Sequence, residues 1–238
     1  MSNLVGDSAN PKVAGVSGMH STNGRGVAAS SEQGIALEAA ATKDTAVYAH
    51  SESGIGLDGR SKTSTGVWGS SEQGIGVRGE GGQYAGYFDG NVMVTGDVQL
   101  QNADCAEDFD IVDVGERIQP GAVMVIDEEG RLRQCSEAYD KKVVGVISGA
   151  ADYKPGIVLD RHFSNNQRLP IALLGKVYCK VDARYSTITV GDLLTTSSTP
   201  GHAMKATDPL KAFGAVLGKA LKPLRHGTGL IPILVALQ

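Results

Sequence analysis

The chain has 238 residues, 41% hydrophobic and 20% charged, with a net charge of −4. That balance excludes a disordered chain, and the small negative charge removes the electrostatic case for a nucleic-acid partner. No apolar run reaches the roughly 18 residues of a membrane-spanning helix, so no membrane insertion is expected. The 32 glycines follow no G-X-Y period, which excludes collagen.

Residues 1–12, MSNLVGDSANPK, are polar, lack a signal-peptide pattern and read as an attachment arm. Residues 13–25 form a degenerate first repeat. Three strict copies follow at 26–44, 46–64 and 66–84, superimposing without gaps at a period of 20. Their columns are Val27/Val47/Val67, Ser31/Ser51/Ser71, Glu32/Glu52/Glu72, Gly34/Gly54/Gly74, Ile35/Ile55/Ile75 and Leu37/Leu57/Val77. A fixed period near 20 marks a stacked or solenoid architecture. Apolar residues alternate with small or polar ones, which predicts two short strands per copy.

One copy offers about three large aliphatics, worth roughly 1.5–3 kcal/mol each when buried. Ordering 20 backbones costs on the order of 20–40 kcal/mol. An isolated copy therefore cannot stand alone. It must stack on its neighbours, and other chains are the expected further cover. Two architectures meet that demand, a single-chain β-solenoid and an intertwined three-chain β-prism. The second asks for less apolar material per chain, and the glycines beside the aliphatics suit close approach of several backbones. With Val27, Val47 and Val67 inward, the column Ala28, Tyr48 and Trp68 faces outward. There Tyr48 and Trp68 offer a shallow stacking surface for a saccharide, unless a neighbouring chain covers them. The Glu32/Glu52/Glu72 column is a solvated face that limits lateral sticking.

The stem, 13–102, ends at YAGYFDGNVMVTGDVQLQN, where Val92/Val94 and Val98/Leu100 around Gly96-Asp97 predict a closing hairpin. From 103 to 238 the repeats vanish and a second duplication emerges. Residues 118–149 align with 188–219, setting Gly121 against Gly191, Gly130 against Gly201, and Gly145 against Gly214. Two such units joined by 169–183 predict a compact β-barrel or sandwich with approximate two-fold symmetry. The C-terminal run GTGLIPILVALQ is an apolar strand to be buried or paired between subunits, and no long helix is expected. The predicted class is all-β.

The pattern GVxGxSxxGxGVxG followed by YFDGNVMVTG resembles the stems of bacteriophage tail and head fibres, which are homotrimers. NADCAEDFD, 102–110, resembles the start of the C-terminal domain of self-cleaving phage appendage proteins, through Ala103-Asp104, Ala106-Glu107 and Phe109. In some of that group the domain chaperones trimer assembly and cuts itself off near this motif. The resemblance implies a virion fibre or capsid decoration, assembled in the host cytoplasm and carried out on the particle surface. Its partners would be itself, other virion proteins and a host-surface glycan.

Asp104 and Glu107 are the carboxylates with a sharp chemical hypothesis. Self-cleavage needs acids placed to move protons at one peptide bond, and a loop carrying both would allow it. The simpler reading is that they hydrogen-bond a loop between stem and domain. His162, Ser164 and Asp160 lie close in sequence but lack a nucleophile-elbow motif. Cys105, Cys135 and Cys179 show no CxxC and read as reduced, buried thiols. No metal or other cofactor is expected. The other reading of the whole chain is a non-viral surface adhesin with a single-chain solenoid.

Overall fold

The computed structural model describes residues 16–112, 118–162 and 167–236. The chain divides into two bodies between Gly90 and Asn91.

In the first body the sequence period halves. Backbone bends recur every ten residues, and the apolar column reads Val27, Leu37, Val47, Leu57, Val67, Val77, Tyr87. Each ten-residue unit is a loop. In four units the turn is closed by a serine hydroxyl that accepts a backbone N–H: Gly34 to Ser31, Gly54 to Ser51 and Gly74 to Ser71, each at 2.9 Å, and Ser64 to Ser61 at 3.0 Å. The neck is a pair of touching backbones. A methyl on Gly69 would lie 2.7 Å from the Gly76 carbonyl oxygen, and one on Gly76 2.9 Å from that of Gly69. Gly59 and Gly66 repeat the arrangement at 2.8 and 2.9 Å. The glycines serve this close approach, at which a side chain would force the backbones apart.

The two strands predicted per copy do not pair within one chain: residues 16–90 carry no strand. Every one of those residues is exposed, the whole apolar column included. Three aliphatics in 20 residues cannot wrap a core by themselves, and in one chain they do not.

The second body is nearly all β. Its strands are β1 (Asp104–Asp110), β2 (Val123–Ile126), β3 (Leu132–Gln134), β4 (Val143–Ile147), β5 (Pro155–Leu159), β6 (Arg168–Asp182), β7 (Leu193–Thr196), β8 (Ala203–Lys205), β9 (Val216–Ala220) and β10 (Thr228–Ala236). One four-residue helix, α1 (Pro209–Ala212), is capped by Asp208, whose carboxylate accepts the Leu210 and Lys211 N–H groups. Residues 91–103 lead in without a strand. The hairpin predicted around Gly96-Asp97 does not form, and Gly96 lacks the positive φ that a tight primed turn needs.

Strands β6, β10, β9, β7 and β8 close a five-stranded barrel, its last seam the parallel pairing of Val181 with Ala203. The other strands repeat that ring. β1 pairs with the first half of β6, then come β4, β2 and β3, and the parallel bridge Ile111–Leu132 returns to β1. The 15-residue strand β6 thus serves both rings, bent between its halves at Gly175, where φ is +104°. β5 lies outside, parallel to β1.

Backbone bonds match between the rings. Gly121 N–H donates to the Ile147 carbonyl as Gly191 N–H does to that of Ala220, both at 2.8 Å. Both β2–β4 and β7–β9 carry a bulge at corresponding positions, after Met124 and after Leu194. The interiors correspond as well: Ile111, Ile118, Met124, Leu132, Ile147 and Ile171 in the first ring, Val181, Ile188, Leu194, Ala203, Ala220 and Ile233 in the second.

The predicted duplication is therefore present, with two corrections. Gly145 corresponds to Gly218, not Gly214, because Gly145 pairs with Met124 and Gly218 with Leu194. The loop carrying α1 makes the second unit longer and shifts the alignment. The rings are also not related by a two-fold axis. A two-fold would give both the same contacts. Instead a methyl on Gly121 would meet Leu230 Cδ1 at 2.8 Å and one on Gly201 would meet Gln134 Oε1 at 2.3 Å, while Gly191 and Gly130 face open space.

Candidate functional site

Asp104 opens β1, where the strand alternates buried and half-buried residues. That alternation separates the two carboxylates predicted to work together. Asp104 faces inward with Ala106 and Asp108, whereas Glu107 shares the other face with Cys105. The segment is a strand between β5 and β6, not a loop.

The buried Asp104 meets a residue that sequence spacing did not indicate. Ser148, at the end of β4, donates its hydroxyl to Asp104 Oδ2 at 2.8 Å, while Oδ1 is buried without a partner. Burial pushes the Asp104 carboxyl above its ordinary value, and the Ser148 hydroxyl pulls it partly back. Ser148 and Asp104 bond directly, with no histidine between them. Among the described residues His162 contacts Asp160 and Arg168, and His202 Nδ1 lies 2.8 Å from the Pro200 carbonyl.

A groove lies along the entry to β1, lined by Leu100, Asn102, Ala103, Asp152, Tyr153 and Lys176. Tyr153 packs against Tyr178 with ring centroids 5.0 Å apart, and Lys176 Nζ sits 5.5 Å from the Tyr153 ring centre. Both aromatic contacts brace the strand entry.

Of the His162, Ser164 and Asp160 group, Ser164 lies outside the described residues. Asp160 pairs with Arg168, which holds its carboxyl below the ordinary value. Arg168 also bonds the Asp108 carbonyl, and its Nη1 lies 3.7 Å from Asp110 Oδ1. The group is a knot of ion pairs tying β1, β5 and β6 together.

A second carboxylate cluster also went unread in the sequence. Asp182 is fully buried at the end of β6, takes Arg184 Nε at 3.0 Å and Thr199 Oγ1 at 2.6 Å, and is held well below the ordinary range, chiefly by Arg184. Asp182 and Arg184 are close in sequence, but Thr199 joins them only through the fold.

Cys135 and Cys179 are buried free thiols, and Cys105 is half-buried. Burial pushes the Cys135 thiol up to about 11 and raises that of Cys179 as well. In the first body Tyr48 and Trp68 are 83% and 79% exposed. Tyr48 stacks on His50 with ring centroids 6.2 Å apart. The ten-residue period sets Glu38, Asp58 and Arg78 in their column, so charges separate the aromatics.

No protein-family model matches this chain, and no curated protein sequence matches it. Among solved structures it is similar to the pre-mature form of bacteriophage phi29 gene product 12, with 17% identity over 62% of this chain and 24% of that one and a TM-score of 0.45. It is also similar to the C-terminal fragment of the same gene product, with 18% identity over 56% of this chain and all of the fragment, at a TM-score of 0.38. A third likeness is to the base of the phi29 head fibre gp8.5, with 17% identity, 56% and 90% coverage and a TM-score of 0.26.

Proposed function

We propose that this chain is a structural fibre or spike protein of a phage or phage-like particle, active as a homotrimer. Its repetitive stem would be shared among three chains, with residues 1–12, which lie outside the described residues, as attachment arm and the double-ring body as the C-terminal domain. The observation that carries this reading is a contrast within one chain. The second body closes its own core around fully buried residues such as Met124 and Leu194, while the first exposes every apolar side chain of a regular column. A soluble monomer rarely keeps so long an apolar face in water. Sister chains stacked on the same period would cover it and supply the missing strand partners. On this reading the protein decorates the particle or touches the host surface, with Tyr48 and Trp68 available to a saccharide.

Light scattering on the purified chain tests the reading. The expected result is three times the chain mass of 24.7 kDa. A monomer would overturn it and favour a single-chain solenoid. The proposed role is structural and not enzymatic, so the intact mass should persist on storage. A break near residues 102–105 that Asp104→Ala abolishes would favour the self-cleaving chaperone domain instead.

A further inference from the structure

The two rings of the second body meet head to tail. The first ring supplies a receiving face. Its Val123 N–H donates to the Gly201 carbonyl at 2.9 Å, its Cys135 carbonyl accepts Gly201 N–H at 2.8 Å, and its Gly121 carbonyl accepts Lys180 N–H at 2.8 Å. The second ring supplies the inserted edge, the turn around Gly201. Around that contact Val123, Val125, Val146 and Ala172 are fully buried on the outside of the first ring.

Each ring has only one half of this contact in use. On the second ring the positions matching Val123 and Ala172 are Leu193 and Leu234, and they are 37% and 39% exposed. With Val216 and Gly218 they line an open recess, and Phe213 beside it is 81% exposed. On the first ring the turn matching Gly201 is Asp127–Arg131, whose Gly130 faces open space. The chain thus carries an unused receiving face at one end and an unused inserting edge at the other.

We propose that the Leu193/Val216/Leu234/Phe213 face receives the Gly130 turn of a second copy of this chain, repeating between chains the contact already made within one. Charge favours that occupant. The turn presents the exposed Glu128 and Glu129, held only by surface pairs to Lys142 and Arg131, and Lys219 lines the recess, with Lys205 beyond it paired to Asp192. A contact between unlike surfaces forms a ring when the rotation between copies closes. Three copies would close six rings into one collar. The inference rests on the homotrimer reading, and it names the surface that holds the bodies together.

Within the chain Cys135 Sγ lies 3.3 Å from the His202 carbonyl. The matching positions across the proposed contact are Ala206 and Arg131. The full-length double variant Ala206→Cys/Arg131→Cys, oxidised and run on a denaturing gel without reductant, should form covalent dimers and trimers that neither single variant forms. Light scattering on the reduced variant accompanies the gel. A trimer without the covalent ladder overturns this contact and leaves the trimer reading intact. A monomeric wild-type protein overturns both. If the double variant misfolds, carbodiimide coupling of the unaltered chain decides. The excised covalent dimer should contain Glu128 or Glu129 joined to Lys205 or Lys219, and a dimer joined only elsewhere overturns the proposal.

Discussion

Two glycines mark where adjacent strands within each ring come closest, and they give the sharpest test of the double-ring fold. A methyl on Gly218 would sit 2.1 Å from the Leu234 carbonyl oxygen and 2.9 Å from its carbon. On Gly145 it would sit 2.4 Å from the Ala172 oxygen and 2.8 Å from Ile171 Cγ2. Neither glycine has a positive φ, so alanine suits the backbone itself and the obstacle is the facing strand. Backbone atoms yield only if β9 parts from β10, or β4 from β6. Overpacking of this kind costs roughly 1–3 kcal/mol, and a weakened ladder bond adds about 1 kcal/mol. The stiffer unfolded chain offsets about 0.4–1 kcal/mol. Gly218→Ala and Gly145→Ala should therefore each destabilise by about 2–3 kcal/mol. With a urea slope of about 2 kcal/mol per molar, the unfolding midpoint followed by far-UV circular dichroism falls by about 1–1.5 M. Gly96→Ala, which meets nothing within 4 Å, is the control and should leave the midpoint in place. A Gly218→Ala protein as stable as the parent would refute the close approach of β9 and β10, and with it the matching of Gly145 to Gly218.

Tyr139 crosses from the first ring to the second, its hydroxyl accepting the N–H groups of Thr207 at 2.9 Å and Asp208 at 3.0 Å. Tyr139→Phe should cost about 1 kcal/mol, a net hydrogen-bond loss at a partly wet site, read as a lower urea midpoint. Asp182→Asn should cost about 2 kcal/mol at pH 7, since charge-assisted bonds to Arg184 and Thr199 are lost. The folded Asp182 carboxyl is held below its unfolded value, so the parent's advantage is full above that value of 3.8 and declines as pH falls through the folded one. Thermal melts of parent and variant between pH 7 and pH 2 should therefore converge in acid. Cys105 should react with a thiol reagent in the native protein well before Cys135 and Cys179, which need unfolding first; equal rates would contradict their burial. On the proposed trimer reading, Val67→Asp/Ile75→Asp should lower the light-scattering mass to that of one chain while leaving the circular dichroism of the second body unchanged.

The duplication was legible because turn glycines leave a strict trace. Gly121 and Gly191 have φ of +90° and +88°, and Gly130 and Gly201 have +80° and +68°. Glycine is the default residue at such angles, so these positions align without help. The third pair was misread for a different reason. Gly145 and Gly218 are required by a neighbouring strand distant in sequence, and the α1 loop shifts the spacing between the marks. The strand β1 left little trace because Asp104 and Asp108 hold buried positions where an apolar residue is expected. Only the fold brings them Ser148 and Arg161, which bond them at 2.8 and 3.2 Å. The Asp104 pairing is thus a product of topology, and reading the motif as a loop followed from its polarity.

The repeat is legible in the sequence at a period of 20, and the backbone adds a shorter period of ten. Identity of residues returns every 20 positions, but geometry returns every ten. The intermediate units keep small residues at the neck positions and the same apolar column with different residues. Ala29 and Ala36, like Ala39 and Ala46, take the neck positions that Gly69 and Gly76 hold later. Where Ala49 faces Gly56 a methyl on Gly56 would lie 3.5 Å from the Ala49 carbonyl oxygen, against 2.7–2.9 Å at the Gly59–Gly66 and Gly69–Gly76 necks, so the neck widens by the room the alanine needs. The column tolerates valine and leucine alike because it needs bulk facing one way. What such a column cannot specify is its cover. Ten-residue units with one column residue each bury nothing by themselves, so on the proposed trimer reading the stem's stability resides in contacts between chains. A stem variant should therefore be judged by its effect on assembly, and a body variant by its effect on unfolding.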